Sequence, residues 1–153
     1  MKKISFLFLI LSLFTFSSCI EQKETYLDEM IYNVKNDNDS TLHLSLSGAY
    51  KCNYRETIVY PGHTAFLYSA FSYNNPYFGF EEGLAEYDSC IVRLNDAEGE
   101  ILKIWTKEEN YPNEARDFFN QRWWQSKRID IFSNSTKFTF TLKPEDFYTN
   151  SLK

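Results

Sequence analysis

The sequence predicts an all-β fold, a sandwich of about seven or eight short strands with one short helix, placed after a separate N-terminal segment. Three observations carry that prediction. Apolar side chains recur at every second position in several runs, turn-forming residues separate those runs, and only one stretch reads as a helix. The chain has 153 residues, room for a single domain. Aromatics make up 18% of it, with 14 Phe and 11 Tyr against 3 Trp. Large rings bury much area each, so a core of this size needs neither a metal nor a dense disulfide framework.

Thr41–Ser47 places Leu42, Leu44 and Leu46 on one face and Thr41, His43, Ser45 and Ser47 on the other. Lys137–Lys143 repeats the pattern, with Phe138, Phe140 and Leu142 against lysines and threonines. Both are period-2 patterns of half-buried strands. Weaker patterns predict strands at Met30–Val34, Thr57–Tyr60, Thr64–Phe71, Ser89–Leu94, Ile101–Thr106 and Lys127–Phe132. Turn chemistry lies between them at Asn36-Asp37-Asn38-Asp39, Pro61-Gly62, Asn95 to Gly99 and Ser133-Asn134-Ser135. The helix is expected from Asn113 to Asn120, with Pro112 before it, Asn113 as its cap and an acid in its first turn. Ser72–Asp88 reads as irregular, and Lys143-Pro144-Glu145-Asp146 ends the last strand with one helical turn.

The N-terminal segment has its own logic. Lys2 and Lys3 precede Ile4–Phe16, which is apolar apart from Ser5, Ser12 and Thr15. A run of about 13 such residues fits the apolar part of an export signal and falls short of a bilayer span. Phe16-Ser17-Ser18-Cys19 resembles the lipobox of bacterial lipoproteins, with Phe16 where Leu is commoner. That resemblance implies a signal peptide over residues 1–18, a diacylglyceryl group on the Cys19 sulfur and cleavage just before it. It implies a lipidated tether over 19–26 and a domain over 27–153. Ile20 is not the Asp that marks inner-membrane retention in enteric bacteria, so the resemblance favours the outer membrane, with the domain facing the periplasm or the cell surface. The run Phe138 to Leu142 followed by Lys143-Pro144-Glu145-Asp146-Phe147 is similar to small envelope lipoproteins of Bacteroidetes. Many of those are immunoglobulin-like antiparallel β-sandwiches, which is the fold the resemblance implies. Asp39-Ser40-Thr41 resembles the O-glycosylation acceptor of Bacteroidetes envelope proteins, which makes Ser40 a candidate for modification.

Charge excludes one partner class. The whole chain carries −5; without Lys2 and Lys3 its 16 basic residues become 14 against 21 acidic, or −7. Such a chain gains nothing from counterion release on nucleic acid. No cofactor motif, Ser nucleophile elbow or Gly-rich phosphate loop occurs.

Cys52 and Cys90 remain once Cys19 is assigned. Either they bridge, closing a loop worth roughly 3–4 kcal/mol on the chain-entropy model, or they are two buried thiols acting as small hydrophobes. His43 falls on the polar face of its strand and His63 follows a turn, neither in metal-ligand spacing. Asp37-Asn38-Asp39 fails the calcium-loop pattern, with Leu42 where Gly is needed and Gly48 where Glu is needed. No metal is implied. Glu81, Glu82, Glu86 and Asp88 form an acidic cluster that reads as a solvated loop, with weak calcium binding as the alternative; two carboxylates there would serve glycoside hydrolysis only at fixed separations in a cleft.

Two aromatic clusters, Tyr73, Tyr77, Phe78 and Phe80, and then Tyr111, Phe118, Phe119, Trp123 and Trp124, either cap the open ends of the sandwich or offer a ligand surface. Trp123 and Trp124 cannot both be core in extended chain. Flat rings beside carboxylates and amides suit stacking on sugars. The sequence therefore points to a non-enzymatic, lipid-anchored binding or interaction module, for a glycan or an envelope protein, with Tyr77, Tyr111, Trp123 and Trp124 as the candidate contacts. The alternatives are a structural or assembly subunit of an envelope complex, and a carboxylate-dependent glycan hydrolase.

Overall fold

A computed structural model of the chain describes residues 27–48, 54–73, 75, 78–108, 115–129 and 135–147. Among the described residues eight strands form: β1 Leu27–Asn36, β2 Leu42–Ser47, β3 Tyr54–Val59, β4 Thr64–Tyr73, β5 Ser89–Leu94, β6 Ile101–Thr106, β7 Trp124–Arg128 and β8 Thr136–Leu142. They make two four-stranded sheets, β4-β1-β8-β7 and β3-β2-β5-β6, packed as a sandwich. Every ladder is antiparallel except β1 with β8, which run parallel and pair Met30 with Thr136 through Asn36 with Leu142.

The register carries the predicted alternation straight into the core. Leu42, Leu44 and Leu46 face inward opposite Leu94, Val92 and Cys90 of β5. From the other sheet Tyr32, Val34, Phe140 and Leu142 meet them, all fully buried. A bulge between Tyr32 and Asn33 makes the β1–β4 pairing skip Leu67, so Leu67 and Tyr68 are both buried.

β5 and β6 match the sequence prediction end to end, and β2 and β8 do so within a residue. β7 begins three residues earlier than expected, because Trp124 turns inward and starts the strand, and the expected residues 130–132 lie outside the described residues. The predicted helix is a correction. Its described part, residues 115–120, is not helical. Asp117 Oδ1 instead accepts the Phe119 amide at 2.9 Å, and Asn120 Oδ1 accepts the Arg122 amide at 3.2 Å, capping a 3-10 turn over Gln121–Trp123. Short polar side chains that bond their own backbone compete with helix here. The helical turn that does form, α1, is Phe80–Gly83, inside the stretch expected to be irregular. The expected turn at Pro144–Asp146 is present as 3-10 helix.

His43 is a second correction. It was expected on a solvated face, yet it is buried, with Nε2 3.4 Å from Glu56 Oε2. β2 is an interior strand, and its neighbours Ile58 and Arg93 flank the ring from both sides. Cys90 is a free, fully buried thiol whose pKa burial pushes well up. Its candidate partner Cys52, like Cys19, lies outside the described residues.

Candidate functional site

The aromatic residues decide where a ligand can sit. Trp124 belongs to the core, at 6% exposure. Its ring centroid lies 4.9 Å from that of Phe118 and 5.3 Å from that of Phe140, and its Nε1 donates to Phe118 O at 2.6 Å. A ring held on all sides cannot receive a ligand, so Trp124 is a core residue and not the ligand contact the sequence suggested. Trp123 is half-buried, and guanidinium groups take its ring: Arg122 Cζ at 4.8 Å and Arg116 Cζ at 5.6 Å from the centroid. Tyr77 and Tyr111 lie outside the described residues.

The chain between β6 and β7 does open a site, beside α1. A groove of about 570 Å³ is lined on one side by Glu81, Leu84 and Ala85 and on the other by Asp117, Phe119, Asn120 and Gln121, with Lys107 included. Lys107 Nζ donates to Leu84 O at 2.6 Å and stands 5.4 Å from the Phe119 ring centroid. Burial lowers the Lys107 pKa, and the carboxylates of Asp88 and Glu81 oppose that. The Asp117 carboxyl is raised by burial, against the pull of the Phe119 amide and of Arg122. Its hydrogen bond with Phe119 fixes the turn that aims both side chains. The groove thus presents a ring, an ammonium, two carboxyls and two exposed amides over a few residues, the mixture of apolar floor and convergent polar groups that defines a ligand cleft.

Arg116 buttresses this segment. Its Nε lies 2.8 Å from Asp146 Oδ1, off the hydrogen-bond axis, one Nη donates to Thr141 O, and its carbonyl accepts Trp105 Nε1 at 2.8 Å. Sequence reasoning missed Lys107, Asp117 and Arg116. The adjacent pair Phe118-Phe119 was the available signal: Phe118 is fully buried and Phe119 only partly so.

Of the acidic cluster, Glu81, Glu82, Glu86 and Asp88 are all exposed, and only Glu81 lines the groove. Ser40 is exposed at the opposite end of the sandwich. Among the described residues no three His, Cys, Asp or Glu side chains stand close enough to hold a metal ion, and no helix is long and apolar enough to cross a membrane. Comparison of the chain with protein-family models, with curated protein sequences and with solved structures finds no match.

Proposed function

We propose that the chain is a lipid-anchored protein of the cell envelope, held through Cys19, whose sandwich binds a glycan in the groove between α1 and the Asp117–Gln121 turn. One observation carries the binding role: Phe119, Lys107, Asp117, Asn120 and Gln121 converge on a single open groove. An aromatic face suits the apolar side of a sugar ring, and carboxyl, amide and ammonium groups suit its hydroxyls. The lipobox-like Phe16-Ser17-Ser18-Cys19 supports the anchor, and two or more acyl chains hold a protein stably where one does not.

Titration of envelope polysaccharide fragments tests the groove. Phe119→Leu keeps apolar packing but loses the flat ring, and Gln121→Ala removes an exposed amide. Both variants fold like the parent and bind at least one fragment severalfold more weakly. A parent that binds none of the fragments, or variants that bind as it does, contradicts the assignment.

A second role, as a subunit of an envelope assembly, draws on the outer face of the second sheet, where Tyr54, Ile58, Ile101 and Ile104 stand exposed. It requires co-purification with a stable partner; a monomer after mild crosslinking counts against it.

A further inference from the structure

Of the exposed large apolar side chains on the outer face of the first sheet, Phe71, Tyr73 and Ile129 stand at the end where the chain enters the sandwich, and Phe66 stands farther along, opposite Asn33. Across the β1–β4 ladder Leu27 stands opposite Tyr73 and Glu29 opposite Phe71. Tyr73 is 71% exposed and Phe71 55%, so neither ring contributes to the core. On the far strand Ile129 prolongs β7, donating its amide to Ser135 O at 2.9 Å, and is 52% exposed. Alternation in extended chain puts Ile129 on the face of Lys127, which pairs with Lys137 of β8. Strands about 4.8 Å apart spread these residues over roughly 15 Å of one rim. Glu29 sits within it and accepts the Ser135 hydroxyl at 3.4 Å.

Chain length decides what covers this rim. Ile20–Tyr26 separates Cys19 from Leu27, the first residue of β1. Those residues reach at most about 25 Å when extended. Acyl chains on Cys19 therefore hold the Leu27 rim close to the bilayer, while the turn after Asn36 lies a strand's length, about 30 Å, farther on. Tyr settles at the headgroup level of a bilayer, where its apolar body and polar tip are both satisfied, and Phe buries its wholly apolar ring at the acyl boundary beneath. Lysine stems lie along apolar surface and carry their ammonium groups to phosphates.

We propose that the rim of Leu27, Phe71, Tyr73 and Ile129, flanked by Lys127 and Lys137, rests on the interfacial layer of the phospholipid bilayer that receives the anchor. The sandwich then leans on the membrane instead of swinging on its tether. This rests on the Cys19 anchor proposed above.

The lipidated protein, reconstituted in vesicles of phosphatidylethanolamine and phosphatidylglycerol with a brominated phospholipid, tests it. Tyr73→Trp and Asp39→Trp each add one indole, read against the parent. The indole at position 73 is quenched severalfold more than that at 39, and adding Phe71→Ser to Tyr73→Trp lowers its quenching. Equal quenching at the two positions overturns the proposal. Mass spectrometry of the same preparation reads the acyl chains on Cys19. If they are absent, the chain from Cys19 onward, carrying Cys52→Ser, is coupled through Cys19 to a maleimide phospholipid and the comparison repeated; Cys90 is buried and does not compete. Loss of the anchor and loss of the orientation are then separate results.

Discussion

Where β1 ends, Asn36 ties the sandwich together with hydrogen bonds; toward its start, Tyr32 ties it together with rings. Fully buried, Asn36 donates through Nδ2 to Ser40 O at 2.8 Å and Val59 O at 2.9 Å, and its Oδ1 accepts the Asn38 amide at 2.9 Å. Its own backbone carbonyl takes the Gly62 amide at 2.8 Å, and its amide reaches His63 O at 2.9 Å. The side chain thus joins β1 to the loop before β2 and to the end of β3, with its amide fully used, and the backbone of the same residue holds the β3–β4 turn. Tyr32 instead stacks on Tyr68 at 4.8 Å and on Phe138 at 5.5 Å, and meets Trp124 edge-on at 5.7 Å. Its hydroxyl donates to Phe80 O at 2.9 Å, which pins α1 over the rings. The comparison teaches where each kind of closure fails. A polar knot fails by orphaning carbonyls, and an aromatic cluster fails by leaving a cavity.

The largest effect is expected in the rings. Trp124→Ala removes a ring that touches Tyr32, Phe80, Phe118 and Phe140. It costs about 3–5 kcal/mol, read as a lower urea midpoint at unchanged slope. Asn36→Ala comes next, at about 1–3 kcal/mol for the buried carbonyl of Val59 and the part-buried one of Ser40, which both lose their Nδ2 donor. If it costs as much as Trp124→Ala, the polar end is the true keystone and the comparison inverts. Gly83→Ala falls in the same range, roughly 1–3 kcal/mol, because a Cβ there would collide with the Tyr32 hydroxyl. A neutral result would show that α1 moves freely over the rings.

The smallest effect is a pH dependence. Burial pushes up the Asp117 carboxyl, against the Phe119 amide and Arg122. It also pushes up Asp146, against the Lys143 amide and the Arg116 guanidinium. Both carboxyls then hold a proton more tightly folded than unfolded. The stability they contribute is complete below the ordinary aspartate range and is lost as pH rises through their raised values. Thermal melts followed from weakly acidic to neutral pH show this decline, and Asp117→Asn flattens it. A steeper decline in that variant would contradict the assignment.

Much of the fold was legible because the strands alternate cleanly. Leu42, Leu44 and Leu46, and Phe138, Phe140 and Leu142, declare one buried face each, and turn residues mark their ends. The turn at Asn36-Asp37-Asn38-Asp39 was legible too, since two of its bonds, Asn38 to Asn36, span two residues. The groove was not legible. It joins Glu81 and Leu84 to Asp117 and Phe119 across the two sheets, and period-2 patterns say nothing of which loops meet. His43 was misread because alternation names faces, while burial of an outer face depends on the strand's place in the sheet. Trp124 was misread because the aromatic cluster hid the start of a strand.

The place of the sandwich at an envelope membrane depends on the lipid anchor at Cys19. Mass spectrometry of the N-terminal fragment of the protein isolated from cell envelopes tests that most directly. The account predicts a chain that begins at Cys19 and carries the added mass of a diacylglyceryl group. A fragment that still begins at Met1, or one that begins at an unmodified Cys19, would contradict it.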